Sequence, residues 1–228
     1  MLTSILFDSS YSVDVALMLF VISLVVFVFS LTIHEFAHAL AAYKMGDSTP
    51  KQAGRLTLNP FKHLDLFGFI MFLFLGVGWA KPVPINPTRF KKYRTGIRWV
   101  SIAGVLANLI LAFLSAGIYA ILINTVGAPT MAMEFVYYTL DLLMIINSYL
   151  ALFNIVPIYP LDGFNFVTSF MKSNNKFIHY SIKNGFKIVL TILLVSIFLD
   201  LFFSFDIISY YLSLLYEYVL LPISNLGV

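Results

Sequence analysis

The sequence predicts an all-α polytopic membrane protein of four to six membrane segments, with a short re-entrant or β-containing membrane-associated region after the first helix. Three observations predict it. First, hydrophobic residues make up 60% of the 228 and charged residues only 11%, with a mean hydropathy of +0.91. Soluble domains carry roughly half and a quarter, and a chain of this size cannot hide so much apolar surface from water. Second, several apolar runs are long enough to cross a hydrocarbon core of about 30 Å. Third, all 14 Lys and Arg fall within 44–62, 81–98 and 172–187. Positive-inside logic places these three stretches on the cytoplasmic face. Because they flank apolar runs and the net charge is only +3, no nucleic-acid partner is expected. The lipid bilayer is.

The first element is the run over 15–33 (VALMLFVISLVVFVFSLTI). It lacks the basic start and small-residue cleavage site of a signal peptide, so a retained helix is expected, continuing to Met45 and ending at Gly46-Asp47. Next, 66–79 (LFGFIMFLFLGVGW) is apolar but short for a span. Crossing would also put the basic stretches on its two sides in opposite compartments. Residues 47–96 are therefore read as one cytoplasmic, partly inserted region, whose Thr, Pro, Gly and aromatic content suits short strands or a re-entrant hairpin. The second full span is 97–123, dotted with small residues that let helices approach closely. The third is 135–156, ending in VPIYPLDG, and the fourth is 188–205. A last apolar segment, 207–224, either spans or lies at the interface.

Ionisable groups inside spans are costly, so each is a candidate for function. His34-Glu35-Phe36-Ala37-His38 reads H-E-x-x-H. On a helix the two histidines share a face about 5–6 Å apart at Cβ, a spacing that holds one zinc ion. Glu35 is rotated by about 100° from His34, better placed to take a proton from a water than to ligate. With four His and three Glu in the chain, the motif arises by chance roughly once in a thousand such sequences. A zinc hydrolase needs a third protein ligand and an open fourth position. Asp65, Asp162, His63 and His179 are the candidates. Asp162 closes the third span at the level of the histidine pair, beside helix-breaking Pro157, Pro160 and Gly163, yet spacing alone reads equally well as an Asp in a turn or cap. With no cysteine in the chain, thiolate zinc sites, iron–sulfur clusters and Cys nucleophiles are excluded. A first span running inward and a third span doing the same bring both halves of the site to one cytoplasmic level.

HEFAH on the first span together with NIVPIYPLDG at the end of the third resembles the site-2 protease family of intramembrane zinc metalloproteases. GDSTPKQAGRLTLNPFKHLD, GWAKPVPINP and AGVLANLILA extend the resemblance over roughly residues 30–170, in the compact prokaryotic-type branch without PDZ or CBS domains. The resemblance implies one Zn2+ per chain held by His34, His38 and Asp162. It makes Glu35 the general base and Asn154 a catalytic group for substrate or oxyanion. Asn108, Trp79, Lys81 and Pro82 become substrate-binding residues. It implies a transmembrane protein as substrate and the plasma membrane of a prokaryote as location, with the site toward the cytoplasm. The chain then reads as one membrane-embedded metalloprotease domain over 1–228, with a core at 13–170 and C-terminal helices at 186–224. His63 and His179 receive no role from it, and the oligomeric state stays open.

Two other classes compete. A zinc-binding membrane protein that holds transmembrane segments without cutting them would have no need of Glu35. A transporter would need ionisable groups along the other spans, where Asp141 and Asp200 alone stand.

Overall fold

A computed structural model of the chain describes residues 12–76, 78–126, 130–172, 174–203 and 207–224. Four helices are long and apolar enough to cross a membrane. They are α1 (Val13–Lys44), α4 (Tyr93–Val126), α5 (Met131–Asn154) and α7 (Lys176–Phe203). The shorter helices are α2 (Thr49–Gln52), α3 (Leu66–Leu75), α6 (Asp162–Thr168), α8 (Ile207–Leu215) and α9 (Leu221–Ser224). A π-helical turn, Tyr216–Leu220, joins the last two.

The core is the triangle of α1, α4 and α5. A helix that is apolar all round shows no preferred face in its sequence; packing chooses one. In α1 the buried stripe runs Leu19, Ile22, Val26, Ser30, His34 and His38, while Val21, Val25 and Phe29 face outward. In α4 it runs Val100, Gly104, Asn108, Ala112 and Ala116. These small residues let the backbones come together, where dispersion contacts and hydrogen bonds take over from a hydrophobic drive that lipid does not supply. The last segment folds back on this core: Leu220 packs on Ala112, Ala116 and Met144, and the Tyr216 hydroxyl donates to Asp141 Oδ1 at 2.6 Å. The side chain of Asp200 lies outside the described residues.

α7 begins at Lys176, well before the apolar run at 188, so part of the third basic stretch is helical rather than loop. Asn175 Oδ1 accepts from the Phe177 N–H (2.8 Å) and caps its start, and Lys is a good helix former. Only 11% of its apolar window is buried. It stands off the triangle as a separate wall.

The region 47–96 contains no strand among the described residues, only an isolated antiparallel bridge between Leu64 and Ala80. Pro60, Pro82, Pro84 and Pro87 remove the donors a ladder needs, and asparagine side chains close local turns instead, Asn59 on Phe61 N–H and Asn86 on Thr88 N–H. The bridge brings both ends of the 65–79 segment to one point. Between them α3, capped by Asp65, packs on α1 through stacked Phe72 and Phe27 rings 3.5 Å apart. The return strap is pinned by Lys81 N–H to His63 O (2.8 Å) and Lys91 N–H to Met45 O (2.9 Å). Asp47 supplies the third pin. Fully buried, it accepts from the Thr49 N–H (2.9 Å), the Thr49 hydroxyl (2.5 Å) and the Asn86 N–H (2.6 Å).

Burial opposes the Asp47 charge, but the Thr49 hydroxyl, the two N–H groups and Arg89 hold its carboxyl below the ordinary value of 3.8. A depressed folded-state pKa stabilises the protein fully above that ordinary value and loses the contribution as pH falls below it. Asp47→Asn should cost about 2 kcal/mol near neutral pH. In thermal melts of detergent-solubilised protein the gap between parent and variant should narrow below about pH 4.

Candidate metal centre

The α-helical i, i+4 spacing puts His34 and His38 on the inner face of α1, and both are buried. Asp162 reaches them from the chain beyond α5. After Asn154 the helix breaks at a turn, and Gly163 lies so close to the Ile155 carbonyl that no side chain fits there. This contact sets the start of α6, whose first residue is Asp162. Asp162 Oδ2 stands 3.2 Å from His34 Nε2 and 3.1 Å from His38 Nε2. The two Nε2 atoms are 3.0 Å apart. Of the four third-ligand candidates, Asp162 alone groups with the histidine pair among the described residues. Asp65 is spent as the α3 cap. His63 is buried in its loop with Nε2 on the Thr57 carbonyl (2.8 Å), and His179 is exposed.

The ring protons follow from the partners. His38 Nδ1 faces the Val100 carbonyl at 2.7 Å; a carbonyl only accepts, so Nδ1 carries hydrogen and the neutral ring turns an Nε2 lone pair inward. His34 Nδ1 is 2.5 Å from Asn108 Oδ1 and is read the same way. Three acceptor atoms therefore face one point inside an apolar bundle, an arrangement that calls for a cation between them.

Two observations fit zinc. Asp162 Oδ2 is buried and has no hydrogen-bond donor. Opposite it, α4 presents Gly104, where a Cβ would stand 2.5 Å from His38 Nε2 and 2.6 Å from His34 Nε2. The glycine keeps open the space beside the ring nitrogens. Two imidazoles and one carboxylate beside a cleft match the donor types of a catalytic zinc site.

The cleft has a volume of about 580 Å³, and Glu35, Asn154, Trp79 and Pro82 line it together with the three ligands. Phe186 and Leu190 of α7 close the far side. Glu35 Oε2 accepts from the Val83 N–H at 3.1 Å. The guanidinium of buried Arg55 donates to the Lys81 carbonyl; burial pushes it below its ordinary pKa and the Glu35 charge works against that. Asn154 Nδ2 donates to the Leu150 carbonyl at 2.9 Å.

Two of the residues expected to bind substrate sit elsewhere. Asn108 is fully buried behind His34, its amide directed to protein partners. The Lys81 side chain is not part of the cleft wall; its backbone is what ties the strap. Arg55 and Asn147 were not singled out by sequence reasoning. Asn147 had a signal, as an amide in the middle of an apolar span, whereas Arg55 looked like any loop cation.

Comparison with known proteins agrees with this centre. Over 142 residues the chain is 46% identical to "Putative zinc metalloprotease YwhC" of Bacillus subtilis (strain 168), covering 60% of this chain and 63% of that protein. Over 91 residues it is 36% identical to "Putative zinc metalloprotease Rip2" of Mycolicibacterium smegmatis (strain ATCC 700084 / mc(2)155), 38% of this chain and 35% of that protein. The chain is a homologue of both. It spans under two thirds of the length of these curated relatives. No family model and no solved structure matches it. The names of the homologues agree with the zinc metalloprotease resemblance carried by HEFAH and NIVPIYPLDG.

If the three side chains share one ion, elemental analysis of the purified parent should find about one zinc per chain. Asp162→Ala, which removes a ligand, and Gly104→Ala, which fills the cradle, should each carry far less. Zinc retained in full by Asp162→Ala would break the link between the two motifs.

Proposed function

We propose that the protein is an intramembrane zinc metalloprotease that hydrolyses a peptide bond within or near a transmembrane segment of another protein. The observation that carries the reading is the glutamate of H-E-x-x-H lining the same apolar cleft as a buried His-His-Asp group, in a chain built of apolar helices. Bound at His34, His38 and Asp162, zinc would polarise the scissile carbonyl and lower the pKa of a water toward about 7.

The remaining work falls to side chains of this protein. Glu35 takes the proton from the attacking water and returns it to the leaving amine. The Val83 N–H fixes one oxygen of its carboxylate, which keeps the base aimed between ligands and strap. Asn154, on the cleft wall, offers an amide to the substrate carbonyl as negative charge develops there. Trp79 and Pro82 hold the substrate backbone against the strap. A helical peptide bond is shielded by its own hydrogen bonds, so the segment unwinds locally before it enters. The apolar lining suits such a segment better than a soluble peptide. The three basic stretches support a site on the cytoplasmic side.

Glu35→Gln should keep its zinc and lose cleavage of a reporter transmembrane substrate by at least about 100-fold, the usual worth of a general base. Cleavage at the parental rate would remove Glu35 from the chemistry. Loss of cleavage in Asp162→Ala but not in Glu35→Gln would leave a zinc site with a different base.

The orientation has its own test. Since the chain has no cysteine, Lys92→Cys and Lys172→Cys each introduce a unique thiol. Both should react with an impermeant maleimide in inverted membrane vesicles and not in intact cells. Labelling from outside would reverse the topology.

A further inference from the structure

We infer that Asn108 and Asn147 form a buried amide relay that sets the tautomer and ring orientation of His34; the inference rests on the zinc reading of that ring. Both amides are fully buried, one on α4 and one on α5, with Ser30 of α1 between them. The Leu143 carbonyl can only accept, and Asn147 Nδ2 lies 2.9 Å from it and 2.9 Å from Ser30 Oγ. That fixes which end of the Asn147 amide is nitrogen. Its Oδ1 therefore faces Asn108 and accepts from Asn108 Nδ2 at 2.7 Å. The Asn108 amide is oriented in turn, so its Oδ1 faces His34 Nδ1 at 2.5 Å. An oxygen there obliges Nδ1 to carry the hydrogen, and the Nε2 lone pair is delivered to the point where His38 and Asp162 converge. A main-chain carbonyl in α5, seconded by the Ser30 carbonyl 3.5 Å from Asn108 Nδ2, thus sets the tautomer of a ring on α1 through two side-chain amides.

Buried amides also join membrane helices simply by bonding across them, and a relay must be told apart from such glue. Direction separates the two: glue needs any satisfied pair, whereas the relay needs an acceptor at His34 Nδ1. Asn108→Asp keeps that acceptor and adds charge. Asn108→Leu keeps the volume and removes the acceptor. Packing alone favours Leu, while a ligand-orienting role favours Asp. Partners of this kind around metal-bound histidines are typically worth about 10–100-fold in metal affinity.

The experiment uses the full-length chain in detergent. Zinc affinity is read by competition with a chromophoric chelator, the visible absorption of the Co2+-loaded protein reports ligand geometry, and circular dichroism melts report folding. Asn108→Leu and Asn147→Leu should weaken zinc by about 10–100-fold and shift the Co2+ bands, with Asn147→Leu the milder. Asn108→Asp should stay within about 3-fold of the parent and keep its bands. Asn108→Leu binding as tightly as the parent, or Leu and Asp variants weakened alike, would overturn the relay. Should Asn108→Leu fail to fold, Asn147→Leu against the parent decides, since it leaves the Asn108 amide in place with only its long 3.5 Å bond to the Ser30 carbonyl to orient it. A parent that binds no zinc would instead overturn the metal reading itself, and the two failures are distinct.

Discussion

Two imidazole nitrogens and a carboxylate oxygen that face one another within 3.2 Å inside an apolar bundle are the constraint to which the rest of this structure answers. Lone pairs so close repel unless a cation lies between them. Three helices bring the atoms together. One helix supplies two of the atoms at a spacing its geometry guarantees. A second must come close without a side chain, hence Gly104 on α4. A third must end abruptly and turn back, which the segment from Ile155 to Asp162 does. The tight α1–α4–α5 triangle is the mechanical frame for three atoms, and a cation at their centre would hold them together.

The segment between α1 and α4 answers a second demand. It must bring backbone to the cleft without burying unpaired donors and acceptors. It does so with polar side chains, its own Asp47, Arg55 and His63 together with Glu35 of α1. Asp47 and Glu35 accept its N–H groups, and Arg55 and His63 engage its carbonyls. The carboxylate assigned to chemistry is also a structural anchor, so the position of the base and the position of the strap are one variable. A shift of either is felt by the other.

The sequence announced the helices and the ligand pair clearly, because both obey short periodicities: apolar runs of span length, and i, i+4 on a helix. The end of α1 at Lys44 and the break after Asn154 were legible from Gly46 and the proline-rich turn. Asp162 could be nominated from topology but not separated from an ordinary capping Asp, since that depends on three-dimensional convergence. The 47–96 region was expected to form short strands or a re-entrant hairpin, whereas among the described residues it is built on the turn chemistry of Asn59 and Asn86. Asn108 drew notice through the resemblance carried by AGVLANLILA, but its direction, behind His34 rather than toward the cleft, is a property of helix rotation that a uniformly apolar sequence does not encode.

One feature of the architecture bears on what this cleft can select. α7 stands off the triangle, and the cleft lining is mostly apolar, so under the proposed function a segment entering from the bilayer would exchange one apolar neighbourhood for another. Exchanging one apolar neighbour for another releases almost no hydrophobic free energy, so apolar side chains contribute little discrimination at this wall. What distinguishes one segment from another is how readily it gives up its own helical hydrogen bonds and what its bared backbone finds on the strap. Residues that loosen a helix, such as Gly, Pro and Asn, matter more in that competition than any particular apolar sequence.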